Sequence, residues 1–200
     1  MAEPRQCDMI LMDASPLIYL AKASCLGLLL QFAKCVYVAD EVYFECAGRW
    51  FAPYSGYGEP PPDAIEIAGF VQANQDRMVL KDTQLGVVLK QRRLAGEKVE
   101  IQNAGEMAAG SLFDRRREIT GGRSPVLVIF EDTEVPWRLA NKDVHLMSTF
   151  ALLVAMEKAG YLKSAQSAFD AISAGSRPCR VAVDESVFGD TTYSQLLVPR

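Results

Sequence analysis

Histidine is almost missing from this chain: His145 is the single one in 200 residues. That disfavours both a Ser-His-Asp relay and a metal centre built on imidazoles. Patterned cysteine is missing too. Cys7, Cys25, Cys35, Cys46 and Cys179 are odd in number, widely spaced and form no Cys-x-x-Cys pair, so neither a zinc cage nor a dithiol redox motif is present. They read as reduced, mostly buried thiols. The glycines make neither GxxxxGK(S/T) nor GxGxxG, which disfavours nucleotide binding through those loops. No apolar run is long enough for a membrane span, the first being broken by Asp13 and Lys22, and the N-terminus lacks the basic-then-apolar order of a signal peptide. A cytoplasmic chain without membrane contact is expected. Basic excess is also lacking: at a formal net charge of -4, coating nucleic acid by bulk charge is disfavoured, and any such role needs its own site.

What is present is apolar material in short, regular blocks. Half of the residues are apolar, 50%, enough for one sizeable core, so a single domain over residues 1–175 is expected, followed by a polar tail, 176–200. Met9 to Met12 reads as a buried strand, with Ser15-Pro16 as cap and first turn of the helix after it. Two short helices, Leu17 to Lys22 and Leu26 to Ala33, lead to a second strand at Cys35 to Val38. Asp40 can cap the next helix, which carries Glu41 and Glu45 one turn apart on one face and stops near Gly48. Arg49 to Asp63, rich in proline, glycine and aromatics, reads as an inserted surface loop whose Trp50, Tyr54 and Tyr57 could grip a partner.

Further on, the pattern predicts a helix from Ile65 to Gln75, an extended piece at Met78 to Leu80 and a helix from Asp82 to Leu94. Asn103 and Glu106 form a plausible capping box for a helix that runs to Gly121-Gly122. PVLVIF, Pro125 to Phe130, has the unbroken apolar character of a parallel strand covered on both faces, and it ends in Glu131-Asp132. A short helix, a strand at Val144 to Leu146 and helices at Ser148 to Lys158 and Tyr161 to Ala174 complete an alternation that predicts an α/β fold with a parallel sheet.

In such sheets ligands collect at the carboxyl ends of the strands, near the reversal of strand order. Asp13 and Asp132 are predicted at that edge. Glu45 and Glu106, early in helices that follow strands, can be delivered to it. Four carboxylates converging there would repel one another unless a cation neutralised them. Oxygen-only ligands favour Mg²⁺ or Mn²⁺. Such an ion can activate water and stabilise charge on a phosphodiester, which is nuclease chemistry.

The same residues resemble a known family. DASPLIYLAK, from Asp13, is similar to the opening of PIN-domain proteins, where a strand ends in an acid followed by a small residue and a helix. VADEVYFE, Val38 to Glu45, resembles their second element, with an acid three residues after a valine, which favours Glu45 over Glu41. Gly105-Glu106 resembles the start of their long helix, and Val126 to Asp132 the strand ending in the last acid. The resemblance spans residues 8–165. It implies a PIN-like three-layer α/β/α sandwich with a central mainly parallel sheet. It also implies Asp13, Glu45, Glu106 and Asp132 as catalytic ligands of Mg²⁺ or Mn²⁺, with Glu131 as the alternative to Asp132, and endoribonuclease activity on an RNA substrate. Many members are toxins held by an antitoxin protein, and a homodimer is implied as well.

Each acid also has a plainer explanation. Asp13 could be a turn acid, although Ser15 is expected to cap that helix; Glu45 a solvated residue; Glu106 half of the capping box, worth about 1 kcal/mol; Asp132 the cap of the next helix. The arginines Arg115, Arg116 and Arg117 are explained by a helix C-terminus, and phosphate binding by them or by Arg92 and Arg93 is the less favoured reading. His145 reads as structural. The competing function is a catalytically inactive PIN-like module that binds RNA or protein through the Trp50 to Tyr57 loop, an idea supported by Phe130 standing where the family often has threonine or serine. A receiver-like signalling domain finds no convincing aspartate and lysine pair.

Overall fold

The computed structural model describes residues 7–53, 56–122, 126–131 and 145–174. Strand β1, Met9–Met12, is buried along its whole length. Four consecutive apolar residues with no polar alternation suit a strand with neighbours on both edges and helices on both faces. Those neighbours are β2, Val36–Ala39, and β4, Val126–Phe130, both parallel to it. Strand β3, Met78–Lys81, extends the sheet beyond β2, and β5, His145–Ser148, extends it beyond β4. The five-stranded order is β3-β2-β1-β4-β5, all parallel. With helices flanking this sheet, the chain is an α/β protein consistent with a three-layer α/β/α sandwich.

The chain first moves outward from β1 through β2 to β3, then returns to the other side of β1 to lay down β4 and β5. The reversal falls between β1 and β4. Helices follow from local signals. Helix α1, Ala14–Lys22, buries an almost continuous apolar set, and a 3-10 turn, Leu26–Leu28, leads into α2, Leu29–Phe32. After β2 come α3, Asp40–Tyr43, a π-helical turn, Phe44–Gly48, and α4, Arg49–Phe51. Helix α5, Pro62–Ala73, starts with proline at its first position, where the missing N–H costs nothing. Helix α6, Gln84–Leu94, is capped by the Thr83 hydroxyl. Helices α7, Ala104–Asp114, and α8, Arg116–Thr120, meet at Arg115, and α8 ends on Gly121 at φ 66, a left-handed value that glycine adopts without strain. Ser148 caps α9, Thr149–Lys158, and Ser164 caps α10, Ala165–Ser173.

Helix α1 packs against α5 and the last two helices, while α7 packs against α3 and α6. The core is continuous from Cys7 to Ile172. Among the described residues no helix is long and apolar enough to cross a membrane.

Several sequence expectations need correction. The cap of α1 is Asp13, not Ser15, because the helix starts at Ala14 and Pro16 sits in its first turn. The supposed loop from Arg49 to Asp63 is helical at both ends, in α4 and α5, and among the described residues between them 52–53 and 56–61 are irregular. The α3 helix does not stop near Gly48 but continues through the π turn into α4. Its cap is Ala39, and Asp40 lies inside the first turn. Asn103 makes no side-chain cap and sits at φ 61 in the left-handed region, so the capping box with Glu106 lacks its first half. Tyr54, Trp137, Asp132, the short helix expected after it and the tail 176–200 lie outside the described residues.

Candidate acidic site at the sheet reversal

Asp13 is the residue directly after β1, in extended backbone at φ -82 and ψ 175. Its Oδ1 accepts the Ala14 N–H at 2.7 Å, so one carboxylate oxygen anchors the start of α1. Capping and negative charge are compatible, because the dipole at a helix N-terminus favours a carboxylate.

Glu131 directly follows β4, the strand beside β1. Its Oε1 accepts the Thr149 N–H at 2.9 Å at the start of α9. Its Oε2 is buried and has no hydrogen-bond partner among the described residues. Burial raises the Glu131 carboxyl above the usual range, hydrogen bonding from Thr149 opposes the rise, and the negative charge of Asp13 adds to it. Asp13 and Glu131 therefore sense each other across the reversal point.

Glu45 is exposed and lies in the π turn. A π turn holds an extra residue and is common where a helix has to re-aim side chains. Its carboxylate reaches the first turn of α7, where a Cβ added to Gly105 would stand 2.5 Å from Glu45 Oε2 and 3.5 Å from Val42 Cγ2. Glu106, the next residue, lies partly exposed in that turn. Buried Cys46 connects the acids electrostatically: burial, then Glu45, then Asp13 hold its thiol protonated, and its Sγ lies 2.7 Å from the Val42 carbonyl.

Glu41 and Glu45 were expected on one face and have different surroundings. Glu41 is buried and receives both arms of Arg93, Nη1 to Oε1 and Nη2 to Oε2, each at 2.7 Å. The guanidinium also lies 3.7 Å from the centroid of the Phe44 ring. Arg93 is thereby committed to structure, as is Arg92 with Glu97. Arg115 pairs with Glu118, and Arg116 donates to the Phe113 carbonyl while stacking on that ring. His145 is a β5 residue in register with Leu127.

The structure thus brings Asp13 and Glu131 to one edge, and Glu45 onto the turn that carries Glu106. Among the described residues no three His, Cys, Asp or Glu side chains are grouped so as to hold a metal ion. The donor set still fits a hard cation in kind: all the side chains are carboxylates, and one buried oxygen, Glu131 Oε2, lacks a hydrogen-bond donor. Sequence reasoning favoured Asp132 with Glu131 as the alternative; Glu131 is described and Asp132 lies outside the described residues. The Arg93 lock on Glu41 and the Gly105 contact were missed, since neither partner is near in sequence.

The chain matches no family model, no curated protein and no solved structure at a significant level.

Proposed function

We propose that this protein is a divalent-metal-dependent endoribonuclease of the PIN type, acting in the cytoplasm. The observation that carries the reading is the pair of acids following β1 and β4 at the reversal of strand order, Asp13 and Glu131, with the Glu131 Oε2 unsatisfied. Asp13, Glu45, Glu106 and the Glu131-Asp132 pair would hold Mg²⁺ or Mn²⁺. When bound, the ion supplies an activated water and positive charge for phosphodiester hydrolysis.

The chain's own residues perform the rest. Asp13 is oriented by its bond to the Ala14 N–H. Arg93 keeps Glu41 out of the site and stiffens the segment leading to Glu45. The absence of a side chain at Gly105 leaves room for the Glu45 carboxylate beside Glu106. The Thr149 N–H holds one oxygen of Glu131, and the other is buried without a hydrogen-bond partner among the described residues, as is the Thr149 hydroxyl.

The test is incubation of the purified protein with end-labelled RNA in Mg²⁺, Mn²⁺ or chelator, beside folded Asp13→Asn and Glu131→Gln variants. Metal-dependent cutting that disappears in both variants is expected. Cutting that survives chelation, or no cutting together with no Mn²⁺ binding, refutes the proposal. A toxin role with an antitoxin partner and a homodimer belong to the same reading. Growth arrest on expression that requires Asp13 tests the first, and light scattering of the pure chain tests the second.

A further inference from the structure

The helix that carries Glu45 does not end at the acids. Arg49 follows four residues later and opens α4. Its guanidinium carbon stands 4.3 Å from the Trp50 ring centroid and 5.6 Å from that of Tyr57. The two rings are 6.3 Å apart and tilted by 51°. Trp50 is anchored against the core, whereas Tyr57 is 45% exposed and Phe51 50% exposed. Arg49 Nε is buried without a hydrogen-bond partner, and Arg49 makes no ion pair among the described residues.

A purely structural cluster accounts for part of this. Cation–π contacts would staple the irregular segment after Phe51 back onto α4. They do not account for two aromatics left open to solvent beside an arginine with no ion pair among the described residues.

We infer that Arg49, Trp50 and Tyr57 form a stacking platform for an unpaired stretch of RNA, seated beside the acidic site. The inference rests on the proposed nuclease reading and names how its substrate is held. Charge complementarity supports it. The acids Glu45 and Glu106 repel the phosphates of a substrate, so a strand needs a hold beside them, and Arg49 is a cation on the helix that bears Glu45, with no ion pair among the described residues. An exposed tyrosine face next to a guanidinium suits a nucleobase and its phosphate, and any base serves because every base has a π face. In a duplex those faces are already covered, so the platform selects single strands.

The experiment uses the full chain carrying Trp137→Phe, which leaves Trp50 as the one remaining tryptophan of two. In chelator, where no cutting occurs, it is titrated with a single-stranded oligoadenylate of about ten nucleotides, a length matched to typical single-strand sites. A blunt RNA duplex of equal length and a proline-rich peptide are titrated in parallel. Trp50 emission is expected to be quenched by the single strand alone. Tyr57→Ala should weaken binding about 5- to 150-fold, the range for losing one stacked base. Tyr57→Phe, which keeps the ring, should restore it, and a melting curve on each variant verifies folding. Equal quenching by duplex, quenching by the peptide alone, or a Tyr57→Ala variant that binds like its parent overturns the platform. The two readings fail separately: RNA cutting unchanged by Tyr57→Ala removes the platform and leaves the nuclease, whereas Tyr57-dependent binding without metal-dependent cutting leaves the platform and removes the nuclease.

Discussion

Gly86 is the third residue of α6, a position where replacing glycine by alanine ordinarily stabilises a helix by about 0.5–1 kcal/mol. Here the sign should reverse. An added Cβ would overlap the Asp40 carboxylate. That carboxylate is pinned by three donors: the Thr83 N–H at 3.0 Å, the Thr83 hydroxyl at 2.8 Å and the Glu41 N–H at 3.0 Å. Displacing Asp40 loses these charge-assisted bonds, each worth roughly 1.5–3 kcal/mol before water replaces part of the loss. Because Asp40 is only partly buried, a total loss of about 3 kcal/mol is reasonable, against about 1 gained from propensity. Gly86→Ala should therefore destabilise by about 2 kcal/mol, a fall of roughly 4–8 °C in Tm for a chain of this size. The assay is thermal and urea unfolding of four proteins: the parent, Gly86→Ala, Asp40→Ala and the double variant. With Asp40 already removed, the same alanine should be neutral or mildly stabilising. A Gly86→Ala protein as stable as the parent, or one equally destabilised whether or not Asp40 is present, refutes the overlap argument.

Three further outcomes are expected. Arg93→Met should cost about 3–5 kcal/mol, because it strands Glu41, whose side chain is 4% exposed, without a counter-charge; the Glu41→Leu/Arg93→Met double variant should unfold at higher urea than Arg93→Met alone. Gly105→Ala should change stability by no more than about 1 kcal/mol, since the atom it meets is the far end of a glutamate, yet reduce metal-dependent RNA cutting by at least roughly tenfold, measured on end-labelled RNA. For pH, burial and then the charge of Asp8 push the Cys7 thiol from 9.0 up to about 11. A folded value above the unfolded one means that stability is full below pH 9.0 and declines as pH rises towards about 11. Melts of the parent and Cys7→Ala from pH 8 upward should show a stability difference that is constant at first and then shifts in favour of the variant by up to about 3 kcal/mol. A difference that stays constant to pH 11 counts against it.

Much of the fold was legible because its strands are buried on both faces. MILM and VLVIF have no polar alternation, and both fell within a residue of their observed positions. Boundaries set by side-chain chemistry were harder. Ser15 before Pro16 looks like the better cap, but a strand ending at Met12 leaves Asp13 as the only residue able to close the first turn. Asn103 fails to cap because its backbone is left-handed, which depends on the approach of the chain from 95–102 and not on Asn103 itself. The π turn has no local signal in FECAG. At the site, Asp13 was placed by sequence order alone. Glu131 is held by an amide 18 residues away, and Glu41 is claimed by an arginine 52 residues away; neither contact can be read from spacing.

The return of the chain to β1 also sets a schedule. On the ribosome, residues 9–81 can lay down β3, β2 and β1 as one ladder while the remainder is still being made, since domains tend to form from the N-terminus during synthesis. Met9 must then wait for Val126, its partner across β1 and β4. The far side of Asp13 is absent until that late strand arrives. A chain that stops short of β4 therefore carries half of the acidic edge and no Glu131, so the late synthesis of that strand is the step that brings Asp13 and Glu131 to one edge.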